Sequence, residues 1–226
     1  MTHFTLSQQD HDRIGAAVTH AEAHSDAEIV TIIAPRSDAY HDVGLHYAIG
    51  SVFVLLAAIA TFPATFAGWA TTWLGGWDHA LTAREMMTAL LCATILLFLI
   101  LRYGLAWMPL RMALTPGSTK TRRVRRAAIT LFRTAVEGRT RAQTGVLLYL
   151  SLAEHRAELV ADAAVSAQVE PEAWGDAMAA LIHHVRAGEP GEGMVQAIDR
   201  IGRILARHVP RSPDDRNELP DRLIEL

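Results

Sequence analysis

Two apolar runs decide how this chain is read: VGLHYAIGSVFVLLAAIATF at residues 43–62 and MMTALLCATILLFLIL at residues 86–101. A helix that crosses the hydrocarbon of a bilayer needs roughly 20 apolar residues at about 1.5 Å of rise each. Both runs meet that length, the second reaching residue 110 if Arg102 snorkels. As helices they satisfy their own backbone groups, which lipid demands. The expectation is an integral membrane protein with a transmembrane helical hairpin at 43–110, and polar sequence on either side that forms one soluble domain.

Charge sets the expected orientation. Residues 111–141 hold nine Lys or Arg against one acid, Glu137, while the loop between the runs holds only Arg84. Basic flanks stay cytoplasmic, so two spans put both termini on the cytoplasmic side. The loop also carries Phe66, Trp69, Trp73 and Trp77, as in an aromatic belt at the far interface. Residues 1–42 hold seven acids and two bases, the reverse of a signal peptide's basic n-region. The sole cysteine, Cys92, lies in the second run, so no intramolecular disulfide forms, which suits a reducing compartment.

Removing 43–110 leaves 158 residues, the size of one ordinary domain. The expected organisation is a first part of the cytoplasmic domain at 1–42, the hairpin at 43–110, the remainder of the domain at 111–208, and a loosely ordered tail at 209–226. Within the domain, Ser7 caps a helix over 8–24. EIVTIIA at 28–34 is a β-branched, nearly all-apolar run that suits an interior strand. A basic helix follows the hairpin at 119–137, with Gly138 as its stop. GVLLYLSL at 145–152 and RAELVA at 156–161 read as two strands joined by a tight turn at 153–155. A short strand or turn is expected near 165–169. Pro171 opens a helix that Gly188 closes, and a last helix covers 194–208. The first two strands are joined through a helix and should be parallel, and the second and third should be antiparallel. The fold class is α/β: a small mixed-sheet αβα sandwich interrupted by a two-helix transmembrane hairpin.

Three stretches resemble the TPM domain family. Ser25-Asp26-Ala27-Glu28-Ile29-Val30 is similar to its first strand, Thr140 to Leu148 to its T-x-x-G-V-L-L strand, and Arg156 to Asp162 to its R-x-x-x-L/I-V-A-D strand. Residues 174–208 resemble the closing helix pair. One branch of bacterial TPM-like membrane proteins has transmembrane segments inserted after the first strand, and the chain resembles that branch, which implies the bacterial inner membrane. Some members of the family are acid phosphatases, some bind divalent cations, and others modulate membrane complexes. Where many members carry G-x-G after the third strand, this chain has Asp162-Ala163-Ala164-Val165. Losing those glycines removes a backbone concavity able to approach a phosphate or metal.

Asp26, Glu28 and Asp162 are the acids nearest predicted strand ends, and are candidate ligands for Ca²⁺ or Mg²⁺; no other cofactor is expected. His20 and His24 have i, i+4 metal spacing but no third ligand nearby. The His183-His184 pair reads as one packed and one exposed ring, and His155 as part of a polar turn. Residues 188–193 (GEPGEG) lack the Lys-Ser/Thr of a phosphate loop and read as a helix connector. No G-x-S-x-G nucleophile motif occurs. Arg122, Arg123, Arg125 and Arg126 are the candidate lipid-headgroup contacts. Nucleic acid is disfavoured, since aromatic residues are not interleaved with these arginines. Gly44 and Ala48 are the small residues through which spans would oligomerise. The expected function is a regulatory or protein-interaction module acting on a membrane-protein partner. A divalent-metal-dependent acid phosphatase is the alternative, and a transporter is third, because the spans hold almost no polar group besides His46.

Overall fold

The computed structural model describes residues 6–74, 81–137, 139–140, 143–214 and 217–226. The chain divides into two compact units: one is Met1–Asp38 with Gly117–Leu226, the other Ala39–Pro116. Gly138 and Trp77, named above as a helix stop and a belt residue, lie outside the described residues.

The discontinuous unit is built on a four-stranded mixed sheet, in spatial order Arg156–Ala161 (β3), Gly145–Ser151 (β2), Glu28–Ala34 (β1) and Ile224–Glu225 (β4). β1 (Glu28–Ala34) runs parallel to β2 (Gly145–Ser151) through seven consecutive pairs, from Glu28 with Gly145 to Ala34 with Ser151. β3 (Arg156–Ala161) returns antiparallel to β2. Every residue of β1 and of β2 is buried, because the pleat sends alternate side chains into two separate cores. Ile29, Ile33, Val146, Leu148 and Leu150 enter one core. It is closed by α1 (Gln8–Glu22), α8 (Gly175–Arg186) and α9 (Pro190–His208). Val30, Ile32, Ala34, Leu147 and Tyr149 enter the other, under Val124, Ala128 and Phe132 of α6 (Gly117–Ala135). This is the expected αβα sandwich with its parallel and antiparallel pairings.

Several local readings change. The Gly-rich stretch is mostly helix: α9 starts at Pro190, and the connector shrinks to Ala187–Glu189. A Schellman turn makes that possible. Gly188 takes φ 85°, its N–H bonds Val185 O, and the Glu189 N–H bonds His184 O. A short helix, α7 (Ala163–Ser166), replaces the strand or turn near 165, and a 3₁₀ turn, Pro171–Trp174, precedes α8. The described residues of the tail are ordered. Leu219 and Leu223 are buried, and β4 (Ile224–Glu225) pairs with Ile32 and Ile33 of β1. The physical reason is that β1 would otherwise present an unpaired hydrogen-bonding edge.

The described residues of the second unit form four helices. α2 (His41–Thr61) and α4 (Ala83–Gly104) are long and apolar enough to cross a membrane. Only 17% of the apolar window of α2 and none of that of α4 is buried. A core helix of a soluble protein would be covered. Thr82 and Glu85 form a reciprocal capping box that starts α4. The loop between the two long helices contains a further apolar helix, α3 (Pro63–Leu74), so Phe66, Trp69 and Trp73 lie on a helix. α4 does not continue to residue 110. It ends at Gly104, and α5 (Met108–Leu114) begins anew with Pro109 in its first turn. Arg111, only 4% exposed, explains the break: its Nε donates to Leu105 O at 2.9 Å and its Nη1 to Ala39 O at 2.6 Å. The guanidinium thus satisfies a carbonyl at the end of α4, where a cation also suits the dipole. Ala48 is fully buried and a Cβ on Gly44 would stand 3.4 Å from Leu105 Cβ. These small residues pack within the chain.

Candidate functional site

The sheet places the strand-end acids through its register. Glu28 opens β1 opposite Gly145 of β2. The Asp162 N–H bonds Gly145 O at 2.8 Å, so Asp162 follows in the same row across the sheet. A fourth acid, Glu22, reaches this end from the last turn of α1, accepting the Ile29 N–H on Oε1 at 2.7 Å.

These carboxyls are not equivalent. Glu28, 4% exposed, accepts the backbone N–H groups of Glu218 (3.1 Å) and Leu219 (3.0 Å), one on each oxygen. Asp26 accepts the Ser212 N–H at 2.6 Å. Both acids therefore fasten the C-terminal segment against the start of β1. Glu22 and Asp162 differ, since Glu22 Oε2 and Asp162 Oδ2 are buried without a hydrogen-bond partner among the described residues. Burial raises the Glu22 carboxyl to about 8; the Ile29 amide opposes this, and the charges of Glu28 and Asp221 add to it. Asp162 is also raised, first by burial and then by Glu137, against the amides of Gly145 and Ala163 and the Thr140 hydroxyl.

At neutral pH Glu22 is thus a carboxylic acid beside Asp221 and beside Glu28, which is tied to backbone amides. Such a set can hold a proton. As a cation cage it is incomplete: among the described residues no three acids, histidines or cysteines are grouped to hold a metal. The candidate trio Asp26, Glu28 and Asp162 shares one end of the sheet but does not converge. The sequence reading missed Glu22, although an acid in the last turn of a helix opposes the dipole and was a usable signal.

The arginines lie on α6 with its apolar stripe turned to the sheet. Arg122, Arg125 and Arg126 are exposed; Arg123 is held by Asp38 at 2.9 Å. His20 and His24 are both exposed, with ring centroids 5.1 Å apart, and the His24 ring contacts the His20 carbonyl oxygen. His183 is exposed, while His184 is half-buried and meets Glu189 at 3.3 Å. His155 sits in the β2–β3 turn at φ 47°.

Residues 110–204 match the family model of the TPM domain. Over that stretch the chain resembles the TPM domain. The match includes the strands at 145–151 and 156–161 and the α8–α9 pair, and it begins after β1, which the structure adds to the sheet by pairing it with β2. The solved NMR structure of the BA42 protein from the psychrophilic bacterium Bizionia argentinensis is similar over 100% of this chain and 99% of its own. The TM-score is 0.58 at 15% identity, a likeness of fold. No curated protein matches the sequence. Glu28 and Asp26 lie outside the matched TPM segment, whereas Asp162 and the arginines of α6 lie within it.

Proposed function

We propose that this chain is a membrane-anchored TPM-domain protein acting as a regulatory or protein-interaction module on a membrane-protein partner, in the bacterial inner membrane with both termini cytoplasmic. The observation that carries the reading is the use made of Glu28: both carboxylate oxygens bind backbone amides of the C-terminal segment. A carboxylate so engaged is a structural fastener, and Asp26 does the same at Ser212. Anchoring is supported by the uncovered apolar surface of α2 and α4, and the orientation by the basic α6. The exposure of Arg122, Arg125 and Arg126 supports contact with anionic headgroups, at roughly 1 kcal/mol per charge near the surface, with Arg123 contributing once released from Asp38.

A second reading, a divalent-metal-dependent acid phosphatase using Ca²⁺ or Mg²⁺, is favoured by two observations. The matching family model carries the name TPM phosphatase, and Asp162 and Glu22 each keep a buried oxygen without a partner. The detergent-solubilised full chain, assayed on a phosphomonoester with and without EDTA, separates the two. The regulatory reading expects no hydrolysis above background, in the parent or in Asp26→Asn, Glu28→Gln and Asp162→Asn. EDTA-sensitive hydrolysis that is lost in Asp162→Asn establishes the phosphatase instead.

A further inference from the structure

β3 is an edge strand of the sheet. It pairs with β2 without a bulge, from Val146 with Ala161 to Ser151 with Arg156. The Asp162 N–H bonds Gly145 O, so the alternation of the ladder turns the N–H and C=O groups of Ala157, Leu159 and Ala161 away from β2. Among the described residues no backbone group bonds Ala157 or Leu159 on that side, and Ala161 O takes only the Ser166 hydroxyl, at 3.2 Å. Beside the start of β3 a cavity of about 310 Å³ lies between Thr121 of α6 and Ile182 of α8, so neither helix covers the edge there. Its Glu154 and Glu158 balance its Arg156 and Arg186, which suits a neutral backbone strand and not an ion.

Edge strands are commonly guarded by a lysine, a proline or a bulge, and β3 has none of these. It carries charge on one face instead. Ala157, Leu159 and Ala161 pack on the core under α8, and Val160 on the core under α6. By alternation Arg156, Glu158 and Asp162 share the α6 side with Val160. Two of these have unmet polar atoms. Arg156 Nε and Asp162 Oδ2 are buried without a hydrogen-bond partner among the described residues, one at each end of β3. Their positions are roughly 20 Å apart along the strand, so the two cannot meet within one copy.

A second copy of the chain brings them together. Two β3 strands joined antiparallel about a two-fold axis through Leu159 set Ala157 against Ala161 and Leu159 against itself, each pair exchanging the outward N–H and C=O groups. On the α6 side Arg156 then falls opposite Asp162 of the other copy, at both ends, in non-hydrogen-bonded pairs whose Cα atoms stand about 4.5 Å apart. Glu158 falls opposite Val160 and keeps Arg125 and Arg156 of its own copy nearby. Glu137, the other acid near Asp162, is exposed. The adjacent registers that use the same backbone groups are worse. One sets Glu158 against Glu158, the other sets Glu158 against Asp162, and like charges directly opposite destabilise a strand pair. A slip by a single residue mismatches the backbone groups and the faces.

We propose that β3 is a dimerisation edge, through which two copies of this chain join their sheets antiparallel about Leu159, with Arg156 of each copy paired to Asp162 of the other. The proposal needs neither the regulatory nor the phosphatase reading. Sedimentation of the full chain in density-matched neutral detergent tests it. A dimer is expected, and Ala157→Pro should raise its Kd about tenfold or more. That proline removes only an N–H that points away from β2, which an edge strand tolerates, and an unchanged far-UV circular dichroism spectrum checks the fold. Arg133→Gln, an exposed α6 control, should leave the dimer unchanged. Register is read in a Cys92→Ala background under mild oxidation. Arg156→Cys and Asp162→Cys in one chain should give a disulfide-linked dimer, since a disulfide spans Cα separations of about 4.4–6.8 Å, and neither substitution alone should do so. This arm decides the matter if Ala157→Pro loses structure. A monomeric parent, which leaves the edge to an extended segment of another protein, overturns the proposal. So does a dimer that a folded Ala157→Pro leaves intact, a double-cysteine variant that forms no linked dimer, or equal linkage in either single variant.

Discussion

Replacing Ile32 tests whether sequence on both sides of the apolar hairpin makes one cooperative domain. Ile32 is 1% exposed, pairs with Tyr149 of β2 and Ile224 of β4, and lies in the core covered by α6. Ile32→Ala removes buried methyl and methylene groups from a site walled by rigid strands, so about 2–5 kcal/mol is lost. Ile32→Asp adds a carboxylate with no partner there, a further cost of several kcal/mol. The combined loss approaches the roughly 5–15 kcal/mol stability of an ordinary domain. Amide hydrogen exchange on the full chain in detergent reads the outcome. In Ile32→Ala the slowest amides of Gly145–Ser151 should exchange about 30-fold faster or more, since roughly 1.4 kcal/mol is a factor of ten. In Ile32→Asp their protection should collapse. Loss of protection in β1 with Gly145–Ser151 unchanged would refute a shared core.

Two further outcomes follow from single contacts. Because Glu22 is raised to about 8 in the fold from 4.5, the folded state holds more protons between those values, so stability falls as pH rises from about 4.5 to 8. Glu22→Gln should flatten that slope, and urea titrations at pH 5 and pH 8 measure it; an unchanged slope would remove Glu22 as its source. A Cβ on Gly202 would stand 2.6 Å from Ala21 Cβ, so Gly202→Ala should lower stability by about 1–3 kcal/mol as α1 and α9 are forced apart, despite alanine's better helix propensity. A stabilised variant in thermal melts would show that the two helices yield freely.

The parts of the fold legible in sequence were those with a local signal. β-branched apolar runs bounded by turn residues marked β1 and β2, and the Ser7 cap marked the start of α1 within a residue. The parity of the strands followed from what connects them. What escaped depended on distant partners. Leu219, Leu223 and Ile224 sit in a polar tail and look unremarkable until β1 is seen to need an edge strand. Pro190-Gly191-Glu192-Gly193 reads as a loop by composition, yet Gly193 and Gly191 are small because α8 and Asp10 pack against them. Among the site acids, Glu28 and Asp162 were found from their positions at strand ends. That Glu28 has both oxygens bound while Asp162 keeps one buried oxygen without a partner among the described residues was not legible, because the partners of Glu28 come from where the C-terminal segment returns.

Cysteine labelling in intact cells decides whether a membrane hairpin interrupts the TPM-like domain, as proposed. Cys92 is replaced by alanine, and single cysteines are placed at the exposed positions Thr72, in α3, and Ser118, at the start of α6. A membrane-impermeant maleimide should label residue 72 in intact cells and residue 118 only after permeabilisation. Labelling of residue 72 only after permeabilisation, or of residue 118 in intact cells, would contradict that proposal.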